Sequence, residues 1–219
     1  MRKAWLILQK DIQQEFKTRF AVNAILLFAV VTLTAVSFSI GTYSASQEIL
    51  AALLWIILFF SAMSGLSHIF VREEETHTAD TLKLVALPVN VFWGKFFFNL
   101  ILLILVEIII IPLYFAVMNF VVIHTSFFIL VMLLGSLGLT GGGTMVAAII
   151  SKASAKGALF TVLSFPILLP VLVSAISATN SAVGNDPVSL TGNAIQTMIA
   201  YDVVIITASV LLFDFVWNE

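Results

Sequence analysis

The stretch FFFNLILLILVEIIIIPLYFAVM, Phe96–Met118, carries one charged side chain, Glu107, in an otherwise almost wholly apolar run. A helix needs roughly 20 residues to cross the hydrocarbon core of a bilayer, so this stretch is long enough to span it. Five other stretches share its length and composition: 21–42, 49–70, 127–150, 158–178 and 195–217. The sequence therefore predicts an all-α integral membrane protein, with six transmembrane helices in a single membrane domain over residues 1–219.

The positive charges indicate how these spans are oriented. All ten Lys and Arg residues lie in alternate polar segments: before the first span, between the second and third, and between the fourth and fifth. Basic segments are retained in the cytoplasm, so we expect both termini to be cytoplasmic. The connections Tyr43–Glu48, Asn119–Ser126 and Thr179–Ala194 are then external. A cleavable signal peptide is the alternative for the first span, but that span is too long and follows an acidic flank.

The composition excludes several classes of protein. With 61% hydrophobic and 10% charged residues, the chain has too little polar surface for a soluble globule. Its net charge of −2 is not that of a protein with the basic surface that nucleic-acid binding requires. The absence of cysteine excludes disulfides, thiolate metal sites and a cysteine nucleophile. His68, His77 and His124 lack metal-ligand spacing, and no Walker A motif is present.

Residues 1–20 have the pattern of an amphipathic helix. At about 100° per residue, one face carries Trp5, Leu8, Ile12, Phe16 and Phe20, and another carries Lys3, Lys10 and Lys17. Such a helix lies in the membrane interface, with its apolar face toward acyl chains and its lysines toward phosphates. The alternative is that these lysines serve only as an orientation signal.

The connection 71–95 is longer than a simple loop requires. Its first part, Val71–Leu87, reads VREEETHTADTLKLVAL and begins with the acidic cluster Glu73–Glu75. Thr78 or Asp80 could cap a short helix. The apolar surface of that helix would comprise Leu82, Leu84, Val85 and Leu87, and Pro88 ends the pattern. We therefore predict a cytoplasmic coupling helix between spans two and three, which a partner protein can push. The alternative is a solvated loop.

Three carboxylates lie within the predicted spans: Glu107, Asp202 and Asp214. A charged side chain at the bilayer centre costs at least about 2.5–3.5 kcal/mol. No Lys or Arg lies mid-membrane to pair with Glu107, so we expect this group to be neutral, hydrogen-bonded to hydroxyl or amide groups, or facing water. A functional role and a structural one both remain open for Glu107, whereas Asp214 is expected to reach the surface.

Small residues and prolines mark two of the spans. The fourth contains Gly135, Gly138 and Gly141–Gly143, a pattern that favours close helix packing over a phosphate loop. The fifth contains Pro166 and Pro170, which remove backbone donors and are expected to kink the helix.

An interfacial helix, six spans and a cytoplasmic segment after the second span form the layout of type-2 ABC exporter permeases. Within that group the chain resembles the haem exporter protein B (CcmB) family over nearly its whole length. The family usually has glycine where this chain has His77. The motifs that carry the resemblance are Phe70-x-Arg72-Glu73-x-Glu75, Thr78 with Leu82-Lys83-Leu84, Pro88 with Phe92-x-Gly94-Lys95-x-x-Phe98-Asn99, the glycines of the fourth span with Ser151-Lys152, and Gly157 to Pro166-x-x-x-Pro170-Val171.

The resemblance implies a membrane subunit of the cytochrome c maturation complex in the bacterial inner membrane. Such subunits dimerise, dock a CcmA-type ATPase and associate with CcmC- and CcmD-type membrane proteins. ATP hydrolysis by the partner is linked to release of the haem-loaded chaperone CcmE. The chain itself would then be no enzyme and bind no cofactor directly, with ATP on the partner and haem handled by the complex. The implied ATPase contacts are Glu73, Glu75, Thr78, Leu82 and Lys83, and Glu107 is a polar position within the membrane.

Two other classes are compatible with the residues alone. One is a type-2 ABC permease that exports a lipid, drug or polysaccharide. The other is a structural or assembly membrane protein without transport, which would stimulate no ATPase.

Overall fold

The computed structural model describes residues 2–40, 45–151, 156–184 and 192–218, with the side chains of 156–159 outside that description. Parts of three predicted connections, at 43–44, 152–155 and 185–191, therefore lie outside the described residues. Within the described ranges the chain forms helices and no strand. These helices are α1 Arg2–Thr18, α2 Phe20–Ile40, α3 Gln47–Leu66, α4 His68–Glu75, α5 Ala79–Val85, α6 Pro88–Met118, α7 Thr125–Ile150, α8 Lys156–Val183 and α9 Gly192–Asn218.

Six helical stretches of the described chain are long and apolar enough to cross a membrane. Their mean hydropathy lies between 1.8 and 2.9. They are Phe20–Ile40, Gln47–Glu75, Pro88–Met118, Thr125–Ile150, Phe160–Val183 and Gly192–Asn218. The prediction of an all-α protein with six membrane-spanning helices is therefore confirmed.

The helix bounds differ from those expected, most clearly at the start of α6 and at the end of α8. The third spanning helix, α6, begins at Pro88 rather than at Phe96. Proline is favourable in the first turn, because its missing N–H would have no helical partner there and its φ is already helical. Pro88 therefore starts α6, and the segment 71–95 comprises the end of α4, the short helix α5 and the start of α6. Helix α8 also continues past residue 178, to Val183.

Helix α1 packs against the start of α6. Gly94 makes this contact possible, because a Cβ there would lie 2.8 Å from the Cβ of Ile7. Leu8 is buried in the same contact, whereas Trp5 and Phe16 are exposed. The predicted apolar face of α1 is therefore divided: one part packs on the protein and the other faces outward, as an interfacial helix requires. Arg19, with a φ of 52°, separates α1 from α2.

Helix α7 packs against α3, α6, α8 and α9, and its glycines lie at several of these contacts. A Cβ on Gly135 would lie 2.0 Å from the indole of Trp55, and one on Gly138 would lie 2.6 Å from Oδ1 of Asp202. A Cβ on Gly142 would lie 2.6 Å from Cδ2 of Leu168. The glycines therefore allow close approach of neighbouring helices, as the sequence predicts.

Candidate functional site

A cluster of four charged side chains joins α1, α4 and α6 at one end of the bundle. Lys95 of α6 is fully buried, and its Nζ donates to Oε1 of Glu73 at 2.5 Å and to Oδ1 of Asp11 at 3.1 Å. Lys10 of α1 also donates to Oε1 of Glu73, and its Nζ lies 3.4 Å from Oδ1 of Asp11. We call Lys10, Asp11, Glu73 and Lys95 the ion-pair cluster.

The ion-pair cluster is balanced, with two cations facing two carboxylates. Removing one partner from a buried pair costs about 3–5 kcal/mol, because the remaining charge is left without compensation. Burial lowers the pKa of Lys10, but the carboxylates of Asp11 and Glu73 raise it more, so its pKa lies above the ordinary value. Lys10 therefore remains a cation at neutral pH, and the cluster holds the three helices together.

Thr78 extends the ion-pair cluster to α5. Its hydroxyl donates to Oε2 of Glu73 at 2.5 Å, and its backbone N–H donates to the Glu73 carbonyl at 3.0 Å. Thr78, one of the two residues predicted as a possible cap, occupies the N-cap position of α5, but its side chain makes no capping hydrogen bond. The hydroxyl is directed to Glu73 instead, so the orientation of α5 is tied to the ion-pair cluster.

His77 forms the turn between α4 and α5. Its φ is 53°, in the left-handed region that glycine adopts without a Cβ penalty. This conformation explains why a glycine fits the corresponding position of the resembling family. Histidine is among the residues that tolerate this region better than β-branched ones. The turn is therefore retained in this chain despite the replacement.

Helix α5 presents an exposed apolar surface. Leu84 is 89% exposed, and both Val85, the last residue of α5, and Leu87, the N-cap residue of α6, are exposed beside it. We call these three residues the α5 apolar face. Opposite them Ala79 is buried, and Leu82 is partly buried against the hydrophobic core. An exposed aliphatic surface of this kind is typical of a site that contacts another protein or the membrane.

Two lysines connect α5 to other helices. Lys3 of α1 donates from Nζ to the carbonyl of Val85 at 2.8 Å. The Nζ of Lys83 lies 5.8 Å from the ring centroid of Trp217, at the end of α9. A cation at this distance from an indole is attracted to its face. Helix α5 is thereby attached to α1 and α9 as well as to α4.

Beneath α5, four aromatic side chains join α4, α6 and α9. Phe213 lies 5.8 Å from Phe70, 5.5 Å from Phe92 and 5.7 Å from Trp217 between ring centroids. Lys95 lies 5.9 Å from the Phe70 ring, so this aromatic group adjoins the ion-pair cluster. Aromatic pairs at such separations contribute about 0.5–1.5 kcal/mol beyond their burial. The end of α9 is therefore fixed to the same unit.

The five residues that the resemblance assigns to ATPase contact differ in their exposure. Glu75 and Thr78 are exposed, whereas Leu82 and Lys83 are partly buried. Glu73 is only 4% exposed, and its carboxylate is engaged within the ion-pair cluster. Its geometry supports holding α5 in place rather than contacting a partner.

Sequence reasoning missed Lys95, Asp11 and Leu84 as site residues. A lysine beside the aromatic run 96–98 needs a buried carboxylate partner, and this was the available signal for Lys95. The signal for Asp11 was its position one helical turn after Ile7 and Leu8, on an otherwise apolar side of α1. Leu84 belonged to the predicted apolar surface but was not singled out from Leu82.

Within the spanning helices, Glu107 is 5% exposed and accepts a hydrogen bond from the Ser136 hydroxyl at 2.7 Å. Hydrogen bonding to a hydroxyl was one of the three alternatives that the sequence left open. Along the same helix pair, Asn99 donates to Oγ1 of Thr144 at 3.0 Å. These bonds fix the register of α6 against α7.

The other two carboxylates differ from each other. Asp202 is buried, and neither of its oxygens has a hydrogen-bond partner among the described residues. Asp214 is exposed near the end of α9 and accepts a hydrogen bond from Nδ2 of Asn218 at 2.9 Å.

The histidines are separated in the structure as they are in the sequence. His68 packs edge-to-face on Phe20 with ring centroids 4.7 Å apart. His124 occupies the N-cap position of α7, without a side-chain capping bond. Among the described residues no group of three His, Cys, Asp or Glu side chains could hold a metal ion.

Six spanning helices, an amphipathic helix at one end and a short helix tied beside it define a multi-pass helical membrane protein. The family model described as CcmB protein matches residues 2–215. The chain therefore belongs to the CcmB family, the membrane permease subunits of the ABC complex for cytochrome c maturation. It is accordingly a multi-pass protein of the inner membrane. No curated protein matches the chain.

Proposed function

We propose that this subunit receives the motion of a CcmA-type ATPase through α5 and transmits it to the membrane helices, so that ATP hydrolysis releases haem-loaded CcmE. The observation that carries the proposal is the α5 apolar face on a helix tied to the bundle by buried charges. Leu84 is 89% exposed there, whereas Glu73 beneath it is 4% exposed.

The α5 apolar face supplies the affinity of the contact in this proposal. Burying a large aliphatic side chain contributes about 1.5–3 kcal/mol. Leu84 and Leu87 would enter a groove of the ATPase, and the exposed carboxylate of Glu75 would lie at the rim. Charged groups at a rim contribute more to specificity than to affinity.

The attachments of α5 provide the transmission. Thr78 links α5 to the ion-pair cluster, Lys3 links it to α1, and Lys83 links it to α9. Separating the buried charges of the cluster is costly, so displacement of α5 is expected to move α1, α4 and α6 as one unit. Coupling of this kind needs contiguous packed contacts, and the aromatic group beneath α5 extends them to α9.

Membership of the CcmB family supports a proposal for the rest of the assembly. We propose a homodimer that associates with CcmC- and CcmD-type membrane proteins and carries its ATP on the partner ATPase. Both termini lie in the cytoplasm with α5, where the ATPase can reach it. This subunit binds no cofactor directly, and haem is handled by the complex.

The test compares the same added charge at two exposed positions. Leu84→Asp places a charge in the proposed contact, whereas Asn218→Asp places the same charge on an exposed residue at the end of α9, outside α5. We expect Leu84→Asp to abolish co-purification of the ATPase and haem-stained c-type cytochromes, with normal membrane insertion. Asn218→Asp should retain both. Normal recovery of the ATPase with both Leu84→Asp and Leu82→Asp would refute the assignment of α5 as the docking element.

A further inference from the structure

A groove separates the N-terminal part of α1 from the start of α6. Its volume is about 600 Å³, and its lining includes Arg2, Trp5, Leu8, Val89, Trp93 and Phe97. The groove lies where α1 packs on the first turns of a spanning helix, at the same end of the bundle as α5. It is therefore placed at the rim of the membrane, level with lipid headgroups.

The walls of the groove are apolar and aromatic. Trp93 and Phe97 are stacked, with ring centroids 5.5 Å apart and an interplanar angle of 27°. Trp5 faces them from α1 and is 60% exposed. Tryptophan rings prefer the headgroup level of a bilayer, where an apolar body and a polar N–H are both accommodated. These walls suit the glycerol region and the first carbons of an acyl chain.

Among the described residues that line the groove, Arg2 alone is charged. It makes no ion pair with any other described residue. The adjacent Lys3 is already engaged with the carbonyl of Val85. The planar guanidinium group of arginine can donate two parallel hydrogen bonds to phosphate oxygens, whereas the ammonium group of lysine acts as a single point charge. The positive end of the groove therefore complements an anionic headgroup.

We propose that this groove binds one anionic phospholipid of the surrounding bilayer, with its phosphate on Arg2 and its acyl chain along Trp5, Trp93 and Phe97. The site goes beyond the coupling function and does not depend on it. A lipid there would connect α1 to the start of α6 on the side opposite the ion-pair cluster.

Photo-cross-linking tests the site directly. A photoreactive phenylalanine analogue replaces Phe97 in the full chain, which is reconstituted in vesicles with equal amounts of phosphatidylglycerol and phosphatidylcholine. After illumination, intact mass spectrometry measures the ratio of the two lipid adducts. A basic group near an anionic headgroup contributes on the order of fivefold to binding, so we expect the phosphatidylglycerol adduct to dominate by about that factor. The same analogue at Val162, an exposed position on α8, should give a ratio near one.

Three substitutions then assign the preference to Arg2. Arg2→Gln should bring the ratio at position 97 close to one, Arg2→Lys should lower it partially, and Lys17→Gln should leave it unchanged. Lys17 is an exposed cation of the same helix outside the groove. Equal adducts in the unsubstituted chain, an unchanged ratio with Arg2→Gln, or equal loss with Lys17→Gln would each overturn the proposal. In native membranes, a protein adduct at position 97 would show that a partner subunit or a second copy occupies the groove instead.

Discussion

Lys95 stabilises the contact of α6 with α1 and α4. Its ammonium group has no access to water, and both carboxylates that neutralise it come from other helices. A lysine in this position is stable only while Asp11 and Glu73 are present, and they in turn depend on it.

We therefore expect Lys95→Met to destabilise the protein by about 3–5 kcal/mol, because Lys10 alone is left to compensate two carboxylates. The measurement is the fraction of detergent-purified protein that stays monodisperse after graded heating. Lys17→Met, on an exposed position of α1, is the control and should change little. Adding Glu73→Gln to Lys95→Met should recover part of the loss, because Lys10 then balances Asp11. Equal stability of Lys95→Met and Lys17→Met would contradict the ion-pair cluster.

His77 provides a second test at the scale of one residue. A left-handed conformation costs a non-glycine residue about 1–2 kcal/mol, and glycine loses about 0.4–1 kcal/mol through unfolded-state entropy. His77→Gly should therefore be neutral or stabilising by up to about 1 kcal/mol, whereas His77→Val should be destabilising. Thermal unfolding compares the two variants. Haem staining of c-type cytochromes in the His77→Gly strain should be normal, and its loss would give the imidazole a role beyond the turn.

At the scale of elements, α5 is useful only if it is both exposed and firmly attached. Thr78 is the shortest link between the docking surface and the buried charges, at 2.5 Å from Glu73. An isosteric change at Thr78 removes this link without altering the α5 apolar face.

Thr78→Val should therefore separate docking from transmission. We expect the ATPase to co-purify normally, because Leu84 and its neighbours are unchanged. We expect c-type cytochrome assembly to fall several-fold, because the hydroxyl bond from residue 78 to the Glu73 carboxylate is lost. Thr81→Val, on an exposed position of the same helix, is the matched control and should retain both. Full assembly with Thr78→Val would show that the backbone bond to Glu73 suffices for coupling.

The elements themselves were largely predictable, because apolar length decides where a helix can cross a bilayer. The start of α6 was not, since Pro88 is compatible both with the end of one helical pattern and with the first turn of the next. The faces of α1 were predicted only in part. The predicted faces include neither Asp11 nor Glu15, yet both are buried, Asp11 beside Lys95 and Glu15 accepting from the Val22 N–H at 3.0 Å.

The ion-pair cluster could not be predicted from local pattern. Lys95 and Asp11 lie far apart in the sequence and meet only because α1 folds back onto α6 across Gly94. An acidic run such as Glu73–Glu75 is usually solvated, and which member turns inward depends on where that fold places a cation. The exposed apolar surface of α5 was predictable because short helical periodicity is enough to define it.

At the scale of the whole molecule, the proposed coupling requires α5 and both termini to share one side of the membrane. With six spanning helices, the chain ends on the side where it begins. The α1, α4 and α5 contacts place all three helices at that same end. The charge distribution predicts that this side is the cytoplasm.

Single cysteines can test this orientation, since the chain has no cysteine of its own. Ser126→Cys, at the exposed start of α7, should react with a membrane-impermeant maleimide in intact cells. Thr81→Cys, exposed on α5, should react only after the membrane is permeabilised. Ser151 is a poor reporter, because its burial would prevent labelling from either side. Labelling of Thr81→Cys in intact cells would place α5 outside, where no ATPase could reach it, and would exclude the coupling function while leaving the six-helix fold intact.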